Sequence, residues 1–95
     1  MIRWFLRLYN QQLINVKDEK YLKAFGKHLK LLREEKGLSQ EALANNSDVS
    51  LPQITRIERG VINPTICTIK ALAFGLEKEI FELFQFANNK KWFTL

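Results

Sequence analysis

A proline inside a helical run constrains a chain more tightly than any other residue, and Pro52 stands within "SDVSLPQITRIERGVINPT", Ser47 to Thr65. A helix accepts it without loss only in the first turn, where the missing amide hydrogen had no intrahelical partner. Ser50 therefore reads as the N-cap. Gln53, three residues on, completes a capping box by reaching back to the Ser50 amide. Gly60 reads as the stop. One short helix over residues 51–59 follows, too short to stand alone and so obliged to pack on neighbours.

Those neighbours have the same punctuation. Leu22, Phe25, Leu29 and Leu32 recur at helical spacing between Asp18, an N-cap, and Gly37, a C-terminal stop. Ser39 caps a second helix, Gln40 to Asn45, with Leu43 and Ala44 inward, and a polar turn follows. Thr65, after Pro64, caps a fourth with Ile66, Ile69, Leu72 and Ala73 on its inner face. Gly75 and the charged "EKE" then loosen the pattern before "IFELFQF", where Ile80, Leu83 and Phe84 predict a fifth helix. Residues 20–85 show no strand alternation, so the expected fold is all-α, five helices in one domain. Short extensions flank it, residues 1–19 and 86–95. In the first of these Ile2, Phe5 and Tyr9 suit a helix, although Ile2, Trp4, Leu6 and Leu8 also alternate as a strand would.

With 95 residues there is room for one domain and one core. The formal net charge is +5, with the surplus in the first third, which favours partners bearing phosphates or anionic lipids. Cys67 is the only cysteine, which precludes an intramolecular disulfide, leaves a structural zinc without its thiolates and fits a reducing cytoplasm. Near the start of the fourth helix it reads as a thiol without a role. His28, the only histidine, reads as a helix-surface residue rather than a metal ligand. No run approaches a membrane span, and "MIRWFLRLYN" lacks a secretory pattern. No nucleophile–base set, carboxylate pair, phosphate loop or metal motif is present, so neither an enzyme nor a cofactor is expected.

At about 100° per residue the third helix turns Ile54 and Ile57 inward, with Glu58 beside them and Leu51 at the rim. Pro52, Arg56 and Arg59 point outward, flanked by Gln53 and Thr55. A short polar face centred on one arginine suits the major groove, where Arg pairs bidentately with guanine. On the helix alone, a merely solvated surface is the favoured reading, because most exposed arginines have no more specific role.

The longer run "FGKHLKLLREEKGLSQEALANNSDVSLPQITRIERGVINPTICTIKALAFGL" resembles the Cro and phage-repressor type of helix-turn-helix domain, the XRE family. The likeness covers roughly residues 24–84. It rests on "R-x-x-K-G-L-S-Q-E-x-L-A", "V-S-x-x-x-I-x-R-I-E-R-G" and "N-P-T", in order and at family spacing. It implies a five-helix, lambda-repressor-like fold in which the second and third helices bind double-stranded DNA. By resemblance Leu51, Pro52, Gln53, Thr55 and Arg56 face or flank the bases, with apolar readout at Leu51 and Pro52. Ser39, Gln40, Arg59, Val61 and Asn63 match positions close to phosphates. The resemblance also pairs Arg33 with Glu58 as a structural ion pair, which a half-inward glutamate requires.

Aromatic residues gather at the two ends: Trp4, Phe5 and Tyr9, then Phe81, Phe84, Phe86, Trp92 and Phe93. A core this small cannot hide them all, which predicts self-association. The expected function is a sequence-specific transcriptional regulator, a repressor acting as a homodimer on a two-fold operator. A restriction-modification controller, a phage or mobile-element repressor and a self-regulating antitoxin all fit. The alternative is a protein-interaction module or antitoxin of the same fold whose main partner is a protein such as a toxin.

Overall fold

The computed structural model describes residues 17–88, apart from the side chains of residues 87 and 88. The two aromatic-rich termini, with Trp4, Phe5, Tyr9, Trp92 and Phe93, lie outside the described residues. Among the described residues four α-helices and a 3-10 helix follow one another: α1 Glu19–Glu35, α2 Gln40–Ser47, α3 Leu51–Arg59, α4 Ile66–Leu76, and the 3-10 helix Ile80–Asn88. The described residues contain no strand. The boundary expected at residue 85 falls inside the 3-10 helix.

Each α-helix begins on a side-chain oxygen that accepts from the amide three residues on. Asp18 takes the Tyr21 amide, Ser39 that of Ala42, Ser50 that of Gln53 and Thr65 that of Thr68. Each also ends in a left-handed turn, at Gly37, Asp48, Gly60 and Glu77. The amide beyond then reaches back to close the last turn, as from Val61 to the Arg56 carbonyl at 3.1 Å. Two boundaries differ from expectation. α2 continues to Ser47, and α4 runs through Gly75 to Leu76, because Gly75 is a packing residue rather than a breaker. A Cβ there would lie 2.8 Å from that of Ser47.

The core draws on every element. Leu29, Leu43, Ile54, Ile57, Leu72, Leu76 and Leu83 are fully buried, from α1 through to the 3-10 helix. α1 packs on α3 and the 3-10 helix, and α2 packs on α3 and α4. The α1–α3 approach is backbone-close: a Cβ on Gly26 would collide with the Ile57 and Glu58 carbonyl oxygens.

Three expectations require correction. Ile66, assigned to the inner face of α4, is 82% exposed, because it opens the helix where no described element covers it. His28 is half-buried rather than a bare surface residue: its Nε2 donates to the Glu82 carbonyl at 2.8 Å, and its ring lies 5.7 Å from that of Phe86. Phe84 and Phe86 belong to the fold itself. Phe84 packs 5.1 Å from Phe25, and Phe86 packs against Tyr21 and Phe25 at 5.1 and 6.2 Å between ring centroids.

Candidate nucleic-acid interface

α3 stands on a buried ion pair. Arg33 of α1 donates from Nε to Glu58 Oε2 at 2.6 Å and from Nη2 to Oε1 at 3.0 Å, a two-point fork. Its Nη1 donates to the Leu38 carbonyl at 2.8 Å. The hydrogen bond to Glu58 raises the Arg33 pKa above its ordinary value, against the opposing effect of burial. Among the described residues no buried side-chain nitrogen or oxygen lacks a partner, so the pair is fully satisfied.

Gln40, the first residue of α2, extends this network. Its Nε2 donates to Glu58 Oε1 at 2.9 Å, and its Oε1 accepts from the Thr55 hydroxyl at 3.2 Å. Thr55 also bonds the Leu51 carbonyl at 3.1 Å. Sequence reasoning missed this chain of contacts, since it assigned Gln40 and Thr55 to DNA alone. An amide nitrogen carries two hydrogens, and Glu58 uses only one.

The inward face of α3 is therefore occupied and its outward face is open. Pro52, Arg56 and Arg59 are exposed, Leu51 is 36% exposed at the rim, and Gln53 and Thr55 are half-buried. Neither arginine side chain has a hydrogen bond or ion pair among the described residues. Gln53 differs from expectation. Its amide does bond Ser50 Oγ at 3.3 Å, but its side chain turns to Thr68 Oγ1 of α4 at 3.5 Å instead of returning to the Ser50 amide. A neighbouring helix outcompetes the local partner.

Ser39 is exposed at the start of α2, beside Gln40, so the rim of the site is built from α2 and from the loop after α3. In that loop Val61 and Asn63 are exposed. The Val61 amide is engaged in the α3 cap and its carbonyl accepts from Lys17 Nζ at 3.3 Å, which leaves its side chain as the free part.

Two successive short helices, the second braced from behind and bare in front, form the geometry of a helix-turn-helix. A family model described as helix-turn-helix matches residues 29–83, more than half of the chain. The chain belongs to the XRE-type helix-turn-helix family. This is a family of DNA-binding transcriptional regulators, not a class of enzymes, and the fold is lambda-repressor-like. The HTH-type transcriptional regulator SlrR of Bacillus subtilis (strain 168) is 42% identical over 60 residues, 62% of this chain and 40% of that protein. The uncharacterized HTH-type transcriptional regulator y4dJ of Sinorhizobium fredii is 41% identical over 54 residues, 57% of this chain and 70% of that protein. The chain thus spans well under half of one curated relative and about two-thirds of the other. Among solved structures, the restriction-modification controller protein C.AhdI from Aeromonas hydrophila matches with TM-score 0.65 at 43% identity, over 66% of this chain and 96% of that one. An HTH_3 family transcriptional regulator from Vibrio cholerae matches with TM-score 0.70 at 36% identity, over 80% and 42% of the two chains. No helix among the described residues is long and apolar enough to cross a membrane.

Proposed function

We propose that this helix-turn-helix protein is a sequence-specific transcriptional regulator, a repressor acting as a homodimer on a two-fold operator in the cytoplasm. One observation carries the reading: Arg56 presents an unpaired guanidinium at the outer pole of a helix whose inner face is locked by the Arg33–Glu58 fork. A preoriented helix presents such a group to a groove at little further ordering cost. Arg56 pairs with a guanine in the major groove, while Leu51 and Pro52 meet thymine methyls, and Gln53 and Thr55 border them. Arg59, Ser39, the second amide hydrogen of Gln40, and Val61 and Asn63 in the following loop lie along the phosphates and set the register. The likeness to restriction-modification controller proteins supports a role of that kind.

The homodimer is supported by apolar surface at the end of α4 and the start of the 3-10 helix, where Phe74 is 78% and Phe81 64% exposed. The test of function is selection of binding sites from random duplexes at fixed salt. Enrichment of a two-fold site with half-sites about 34 Å apart is expected, one helical turn of DNA. Enrichment of no sequence would overturn the reading in favour of a module whose partner is a protein.

A further inference from the structure

The basic surplus of the chain is not used up by the face just described. Lys20, Lys23, Lys27 and Lys30 of α1 are all exposed, and none has a hydrogen bond or ion pair among the described residues. At about 100° per residue they share an arc of roughly 80°, opposite the buried Leu22, Phe25, Leu29 and Leu32. Along the axis they span roughly 15 Å at 1.5 Å per residue. Glu19 and Glu34 flank the stripe at its two ends. Four lysines so aligned repel one another, and an anion with charges repeating at short intervals relieves that repulsion. DNA carries a phosphate about every 3.4 Å of axis on each strand.

The position of the stripe selects its occupant. Its N-terminal part abuts the end of α3: a Cβ on Gly60 would lie 2.6 Å from Lys23 Cα and 2.7 Å from its Cγ. Lys17, just before α1, bonds the Val61 carbonyl in the loop that follows. Positive charge therefore continues from Arg56 and Arg59 past the C-terminal end of α3 onto α1. Leu31 is the one large apolar side chain on the exposed side of α1, half of its surface open, which is little to insert into a bilayer.

We propose that the lysine stripe of α1 is a second DNA track, which binds backbone phosphates of the duplex flanking each half-site. The proposal rests on the DNA-reading role above and extends it beyond the operator. A duplex long enough to reach the stripe gains these phosphate contacts, so flank length as well as operator sequence sets affinity.

The experiment uses the full chain, the selected operator as a minimal duplex, and the same operator lengthened by ten base pairs of unrelated sequence on each side. Affinities are measured over a series of salt concentrations. For the wild type, lengthening is expected to raise affinity roughly tenfold at low salt and to steepen the salt dependence by about 0.9 for each lysine that meets a phosphate. The variant K20Q/K23Q/K27Q/K30Q, which keeps the Cγ that packs on Gly60, should bind both lengths alike with unchanged base preference. The corresponding arginine variant should keep the length effect. Equal wild-type affinity and slope on both duplexes would overturn the proposal, even if the Gln variant failed to fold. So would a length effect that survives in a folded Gln variant. Wild-type binding to vesicles of anionic phospholipid without a length effect would reassign the stripe to a membrane. Failure to select any operator would instead remove the function on which the proposal stands.

Discussion

Glu58 receives hydrogen bonds from two other helices, through Arg33 of α1 and Gln40 of α2, and Gln40 in turn holds Thr55. Removing one member of a buried charged pair strands the other, so Arg33→Ala should destabilise the fold by about 3–5 kcal/mol. Urea melts measure this, and a loss below about 1 kcal/mol would place the pair among exposed ones. Arg56 has no such intramolecular duty. Its replacement by alanine should leave stability within about 0.5 kcal/mol while weakening the preferred operator by about 1–3 kcal/mol and relaxing one base pair per half-site. Gln40→Ala should weaken specific and unrelated duplexes alike, leaving their ranking unchanged, and should also lower stability by about 1 kcal/mol through the bond to Glu58. Titrations at one salt concentration, read beside the melts, separate the three variants. The Arg33–Glu58 pairing was readable by resemblance. The Gln40 bridge was not, because an amide at a helix start fits a phosphate as well as a carboxylate, and spacing does not distinguish them.

At the scale of the helices, caps were legible because their chemistry is local. Asp18, Ser39, Ser50 and Thr65 each satisfy an amide three residues away, and no distant contact is needed to foresee it. What depended on a neighbouring element was not legible: the turn of Gln53 toward Thr68, the anchoring of His28 on Glu82, the folding back of Phe84 and Phe86 onto α1, and the bare first turn at Ile66. Gly75 looked like a breaker for the same reason, since only the packed structure reveals Ser47 beside it. Gly26 gives the corresponding prediction. Alanine favours a helix over glycine by about 1 kcal/mol, yet here its methyl would strike the end of α3. Gly26→Ala should therefore destabilise by about 1–3 kcal/mol in thermal melts, and a gain in stability would mean that α1 and α3 part easily.

For the whole molecule, the proposed homodimer requires a surface on which two copies could meet. The aromatic clusters at the ends predicted association, but two of those rings, Phe84 and Phe86, are half-buried against the core, and a side chain counted with neither end, Phe74, is among the most exposed apolar groups described. Phe74→Lys should shift the protein from dimer to monomer, raising the dissociation constant about 30-fold or more, as loss of an interface anchor does. Sedimentation across concentrations would show it, and a full-length wild type that stays monomeric at high micromolar concentration would remove the dimer. The bracing of α3 has a further consequence for how such a protein changes over generations. The side-chain hydrogen bonds that orient the helix come from Glu58, Thr55 and Gln53, and the side chains of Leu51, Pro52 and Arg56 take no part in them. A lineage can rewrite those three positions and so move to a new operator without first acquiring mutations that restore the fold.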